Sequence, residues 1–212
     1  MRSILGVIVS AFIDLLFPKQ RLVRELESRD GIALRNFLPS AEHGRNSIRA
    51  IFSYRDRRVR TLIWEIKYRA NARLIESAAE VLLMEIHSHI TAGEKILLIP
   101  IPLSGKRLRE RGFNQVEKLV AAVCKKDLSG SVENGSGLLI KQKHTVPQTE
   151  LSRAERLQNL VGAFVLKEPE HARGRTCIVL DDVSTTGATI AEAKKVLHAA
   201  GARKVEGLVL AH

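Results

Sequence analysis

Apolar positions in this chain change their rhythm several times. Val59, Leu62, Ile63 and Ile66 recur at helical spacing, as do Ile75, Ala78, Ala79, Leu82, Ile86 and Ile90. KILLIPI (95–101) is instead a short unbroken apolar run that stops at Pro102, which predicts a buried strand. Val116, Leu119, Val120 and Val123 predict the next helix, with Asn114 as its cap and Glu117 three residues later. DLSGSVENGSG (127–137) is turn-rich and reads as a loop. Short strands are expected at 138–140 and 163–166, and a buried strand at TCIVLD (176–181). Ile190, Ala193, Val196, Leu197 and Ala200 mark a helix that Gly201 ends, and VEGLVLA (205–211) a last strand. From residue 95 onward strands alternate with helices, and the strands are apolar throughout. That predicts an α/β fold with a parallel sheet covered on both faces, whose ligands sit beyond the carboxyl ends of the strands.

The N-terminus is apolar too. In ILGVIVSAFIDLLF (4–17), Leu5, Ile8, Phe12, Leu15 and Leu16 form a helical stripe. Asp14 interrupts the run, which is shorter than the roughly 20 residues a bilayer requires. A helix packed on the protein or on a partner is expected ahead of a membrane or export role, with no transmembrane span.

Charge adds a direction. The chain of 212 residues carries a formal net charge of +11, with 45% hydrophobic and 27% charged residues. Residues 19–73 hold fourteen Lys or Arg against six Asp or Glu, a net +8. Clustering of this kind points to a polyanionic partner or an anionic substrate. Arg55, Arg57, Arg58 and Arg60 in RDRRVR are the candidate nucleic-acid contacts. Aromatic residues make up only 4%, with Trp64 and Tyr68 near this segment, so support for base stacking from composition is slight. Cys124 and Cys177 lie on apolar faces and read as buried thiols, which fits a reducing cytoplasm.

The richest chemistry lies in CIVLDDVSTTGATI (177–190). Asp181 and Asp182 stand where a buried strand ends, and Ser184, Thr185, Thr186, Gly187, Ala188 and Thr189 lead into the next helix. Backbone N–H groups at a helix start lack intrahelical partners and carry partial positive charge. Hydroxyls add donors, and a glycine allows an anion to come close. The result is a phosphate cradle with no P-loop lysine. No GxxxxGK[ST] occurs in the chain, which argues against an ordinary NTPase. The acids suit the vicinal hydroxyls of a ribose, directly or beside hydrated Mg²⁺. A ribose 5-phosphate satisfies both halves.

LDDVSTTGAT resembles the phosphoribosyl pyrophosphate (PRPP) motif of type I phosphoribosyltransferases. PIPLSGKRLRERGFNQ (100–115) and KQKHTVPQTELSRAERLQNLVGAF (141–164) are similar to signatures of the ComF (competence protein F) family. YRDRRVRTLIWEIKYRAN (54–71) resembles that family's LKYxGN region, with Ala70 where the family favours glycine. The resemblance covers roughly residues 50–212. It implies a phosphoribosyltransferase-like domain at 51–212 behind a basic helical extension at 1–50. It also implies that Asp181 and Asp182 are the catalytic acids on the ribose hydroxyls, and that the 184–189 turn holds the 5-phosphate. Ser104, Lys106 and Arg107 would face the pyrophosphate. Lys143, Thr145, Gln148 and Arg153 belong to the segment in the place of a mobile hood, together with Lys141 and Arg156. Mg²⁺ would accompany PRPP, and a role in competence and DNA uptake would bring single-stranded DNA and DNA-uptake proteins as partners. Relatives commonly carry a Cys-x-x-Cys zinc module near the N-terminus. No cysteine precedes Cys124 here, so no zinc is expected. Two classes stay open: an enzyme that transfers phosphoribosyl groups, and a PRPP or nucleotide sensor that binds single-stranded DNA.

Overall fold

The computed structural model describes residues 18–41, 48–91, 93–142 and 162–212. Strand β6, Thr176–Val183, is the middle of a five-stranded sheet in the order β1-β7-β6-β2-β3, with β1 at Ile48–Phe52, β2 at Ile96–Pro100, β3 at Val132–Asn134 and β7 at Lys204–Ala211. All four pairings are parallel. Parallel strands buried on both faces require apolar residues at every position, which is why KILLIPI and TCIVLD show no alternation.

The pleat divides those side chains between two layers. Ile96, Leu98, Ile178 and Leu180 face one core, built with helices α1 (Pro18–Glu27), α2 (Gly31–Phe37), α3 (Arg57–Arg69), α4 (Ala72–His87) and α6 (Gln115–Lys126). Leu97, Ile99, Cys177 and Val179 face the other, closed by helix α7 (Ala188–Ala199) and a two-stranded antiparallel sheet of β4 (Leu139–Lys141) and β5 (Phe164–Leu166). A short exposed helix α5, Gly105–Arg111, follows β2 and buries none of its residues.

The connections make β2 and β6 special. From β2 the chain crosses through α6 to β3 on one side, whereas from β6 it crosses through α7 to β7 on the other. Between these two strands the winding reverses, and a crevice opens at their carboxyl ends. Pro100 and Asp181 both arrive at that point.

Three features depart from the sequence reading. Residues 132–134, expected in a loop, form strand β3, of which only Val132 is buried. Residues 48–52 form edge strand β1, so the expected boundary at 50/51 falls within a strand. Leu26, Leu34 and Leu38 of the extension share one core with Ile51, Leu62 and Leu82. The helix expected to reach Ile90 stops at His87. The apolar stripe at 4–17 lies outside the described residues.

Candidate functional site

Asp181 and Asp182 are consecutive in an extended strand, so their side chains leave opposite faces. Asp182 continues the row of Ile178 and Leu180 into the helical layer and is 4% exposed. A buried carboxylate needs partners, and two helices supply them. Lys67 of α3 places its Nζ 3.2 Å from Oδ2 and 3.4 Å from Oδ1. Gln115, the first residue of α6, donates from Nε2 to Oδ2 at 2.5 Å. Arg111 in turn donates from Nη1 to Gln115 Oε1 at 2.5 Å.

Local chemistry fixes each partner. Asn114 caps α6 by accepting from the Val116 N–H at 3.0 Å, while its Nδ2 donates to the Ile101 carbonyl and to Glu117. GFNQ is thereby fastened to the end of β2 with Gln115 aimed at the acid. Helix α3 begins at the Asp56 cap and ends at Ala70, which adopts φ 46°, ψ 40°. This left-handed geometry is ordinarily glycine's, and Ala70 is the one non-glycine residue with positive φ among those described.

Asp181 faces the other way and is half-buried. Its Oδ1 accepts from the Asp182 N–H at 2.8 Å. Desolvation, and then the adjacent Asp182 charge, push its pKa up to about 7 against the pull of that N–H and of Lys67 and Lys141. Lys141 on β4 is itself held below the usual lysine range by desolvation and by the charge of Arg107. Asp181, Lys141 and Arg107 therefore share one electrostatic neighbourhood. It pairs an acid ready to hold a proton near neutrality with cations suited to an anion.

The turn after β6 is sewn to β7. The Ser184 N–H donates to the Ala211 carbonyl at 3.1 Å, and His212 Nδ1 donates to the Ser184 carbonyl at 2.8 Å. Thr185 is exposed, Thr186 Oγ1 accepts from the Ala188 N–H at 3.4 Å, and Thr189 lies in the first turn of α7. Gly187, expected to admit an anion, has a further reason to be glycine. Its φ is +77°, and a Cβ there would stand 2.7 Å from Ile48 Cδ1.

Ser104 caps α5 by accepting from the Arg107 N–H at 3.4 Å; Lys106 and Arg107 are exposed on that helix. Lys143, Thr145, Gln148 and Arg153 lie outside the described residues. The basic segment divides. Arg55 and Arg57 are exposed. Arg60 donates to the carbonyls of Arg55 and Tyr54. Arg58 grips Asp56 through two nitrogens at 3.0 and 2.8 Å and donates to the Phe37 carbonyl at 2.9 Å, so it serves the fold. Sequence reasoning assigned no role to Lys67, Arg111 or Gln115; strand alternation past Leu180 was the available signal that Asp182 would need such partners. Among the described residues, one group of possible metal ligands clusters within 4.8 Å: Glu168, Glu170 and His171. His171 Nδ1 stands 3.0 Å from Glu168 there, as expected of a surface ion pair.

No family model matches the chain. It is 31% identical over 153 residues to the DNA utilization protein YhgH of Escherichia coli K12, covering 68% of this chain and 63% of that one. It is 30% identical over 160 residues to the competence protein ComFC of Streptococcus pneumoniae, covering 76% and 66%. With competence protein F of Haemophilus influenzae it shares 35% over 111 residues, 51% of this chain and 47% of the other. The chain thus spans about two thirds or less of these relatives. A hypoxanthine phosphoribosyltransferase from Staphylococcus aureus overlays with a TM-score of 0.38 at 14% identity, over 64% of this chain and 61% of that one. The glutamine PRPP amidotransferase of Bacillus subtilis gives 0.42 at 18%, over 69% and 30%. Overlaps this loose transfer no residue roles.

Proposed function

The chain belongs to the competence protein F (ComF) family, and on that premise we propose that the switch-point crevice binds a phosphoribosyl ligand of the PRPP type. One observation carries the reading. Asp181 meets the hydroxyl-bearing 184–187 turn and the start of the twelve-residue helix α7 at a single strand end. A carboxyl suits ribose hydroxyls, and the turn and helix start suit a phosphate. Lys141 and Arg107 supply positive charge on the same side, where a pyrophosphate would need it.

The residues present fit Mg²⁺ in a limited way. Asp182 is already compensated by Lys67 and Gln115, so it is a poor metal ligand. Asp181 spends one oxygen on a backbone N–H and keeps the other for an ion held mainly by the ligand's own oxygens. That ion would neutralise pyrophosphate charge. Asp181 takes the ribose hydroxyls in this reading, while Asp182 holds α3 and α6 in place.

The names of the relatives supply a context of DNA utilization and competence. We extend it to this chain as handling of single-stranded DNA, with exposed Arg55 and Arg57 as phosphate contacts. No helix among the described residues is long and apolar enough to cross a membrane. A cytoplasmic site of action is part of this reading, and the two free cysteines fit it.

Calorimetry with PRPP and Mg²⁺ tests the pocket. Asp181→Asn should weaken binding about tenfold or more, the worth of a charge-assisted hydrogen bond. Equal affinity in wild type and variant would place the ligand elsewhere. Pyrophosphate release with added bases then separates a transferase from a sensor.

A further inference from the structure

Beside the Lys67–Asp182 pair lies a stack that the phosphoribosyl reading leaves unused. Trp64 and Tyr68, one turn apart on α3, hold their ring centroids 5.6 Å apart at 43°. The Arg69 guanidinium lies 5.0 Å from the Trp64 ring, and that of Arg111, from α5, lies 5.0 Å from the Tyr68 ring. Two rings are thus flanked by two planar cations. Tyr68 is nonetheless 55% exposed.

Such an arrangement invites a flat aromatic guest. Exposed π faces and guanidinium planes both stack on bases, and cations attract the phosphate a base carries. Arg111 is held by a neutral amide, Gln115, among the described residues, so its charge remains available to an anion. The stack also has an address. Tyr68 follows Lys67 in sequence, and Arg111 reaches Asp182 through Gln115. Tyr68 is thus linked through Arg111 and Gln115 to Asp182.

We propose that Tyr68, backed by Trp64 and flanked by Arg69 and Arg111, is a stacking platform for a nucleobase, free as a nucleotide or carried on a single strand. The site is distinct from the arginines of the 55–60 segment. Its geometry is independent of the Asp181 pocket.

Trp64 is the sole tryptophan, so its fluorescence reports this site. Without PRPP, wild-type protein is titrated with a ten-nucleotide deoxyadenylate strand, an abasic strand of equal length, and adenosine monophosphate. The adenylate strand should quench Trp64 and bind more tightly than the abasic one. Tyr68→Ala should remove that advantage, a loss of about tenfold, and Tyr68→Phe should retain it. The abasic strand should bind all three proteins alike. Tyr68-dependent quenching by the monophosphate without any strand preference identifies a free nucleotide as the guest and supports the platform equally. Tyr68→Ala matching wild type with both the adenylate strand and the monophosphate overturns the proposal. Because PRPP is absent, that outcome leaves the Asp181 reading to its own test.

Discussion

Asp181 and Asp182 are chemically identical neighbours in opposite circumstances. Asp182 enters the helical layer, is almost wholly buried and meets a lysine and an amide. Asp181 leaves the other face, remains half-buried and is pushed toward protonation at neutral pH. A two-residue period turns one dipeptide into a structural anchor and a half-buried acid on the opposite face. Adjacent acids in a strand should therefore be assigned one at a time, however much a motif presents them as a pair.

The largest test of that division is stability. Asp182→Ala would strand Lys67 and the Gln115 amide. Removing one partner of a fully buried pair costs about 3–5 kcal/mol, and the Lys67 side chain is 28% exposed and able to reach water, which reduces the cost. A loss of about 2–4 kcal/mol in urea denaturation is expected, whereas Asp181→Asn, at a carboxyl that burial already pushes toward its neutral form, should bring no comparable loss near pH 6. Equal losses from both would erase the distinction.

The second test is pH. The folded-state pKa of Asp181, about 7, stands above the ordinary aspartate value of 3.8. Between those values the folded chain holds a proton that the unfolded chain has released. The stabilisation is complete below the lower value and is lost as pH rises through the upper one. Asp181→Asn should therefore gain on wild type when denaturation midpoints are compared from pH 5 to pH 8. Parallel curves would mean that Asp181 is not perturbed. Asp127 acts oppositely. Desolvation would raise it, but hydrogen bonds from Ser129, Val132 and Ser131 hold it down at about 2, so its contribution is lost only as pH falls toward that value.

The smallest effect concerns the helix that brings Lys67 to Asp182. Left-handed geometry at Ala70 costs about 1–2 kcal/mol, and glycine recovers this less about 0.5–1 kcal/mol of chain entropy. Ala70→Gly should raise the unfolding free energy by about 0.5–1 kcal/mol while leaving PRPP affinity as it is. A loss of stability would show that Ala70 is not strained.

Legibility in the sequence followed locality. Strands β2, β6 and β7 announce themselves because each is an apolar run in its own right, and Asn114 reveals its cap within four residues. Strand β3 does not, since VEN buries only Val132 and is a strand solely through its pairing with β2. Edge strand β1 carries Arg49, whose partners Glu85 and Glu206 lie far along the chain. The site divides in the same way. Both acids and the hydroxyl turn stand in one decapeptide, whereas Lys67 is 115 residues from Asp182 and Gln115 is 67. The structural task of Arg58 escaped notice for a nearer reason: Asp56, two residues earlier, caps α3 and holds it.

The β4–β5 pairing has a consequence for how such a chain can vary. Lys141 stands opposite Phe164, so the polypeptide departs from and returns to one spot beside Asp181. What lies between those residues is fastened at a common root, and its length is decoupled from the register of the main sheet. Loop closure costs only about 0.6 kcal/mol for each doubling of length. A change of chain length between β4 and β5 therefore leaves the pairing of β2 with β6 as it is, and variation here need not propagate to the strands that carry Pro100 and Asp181.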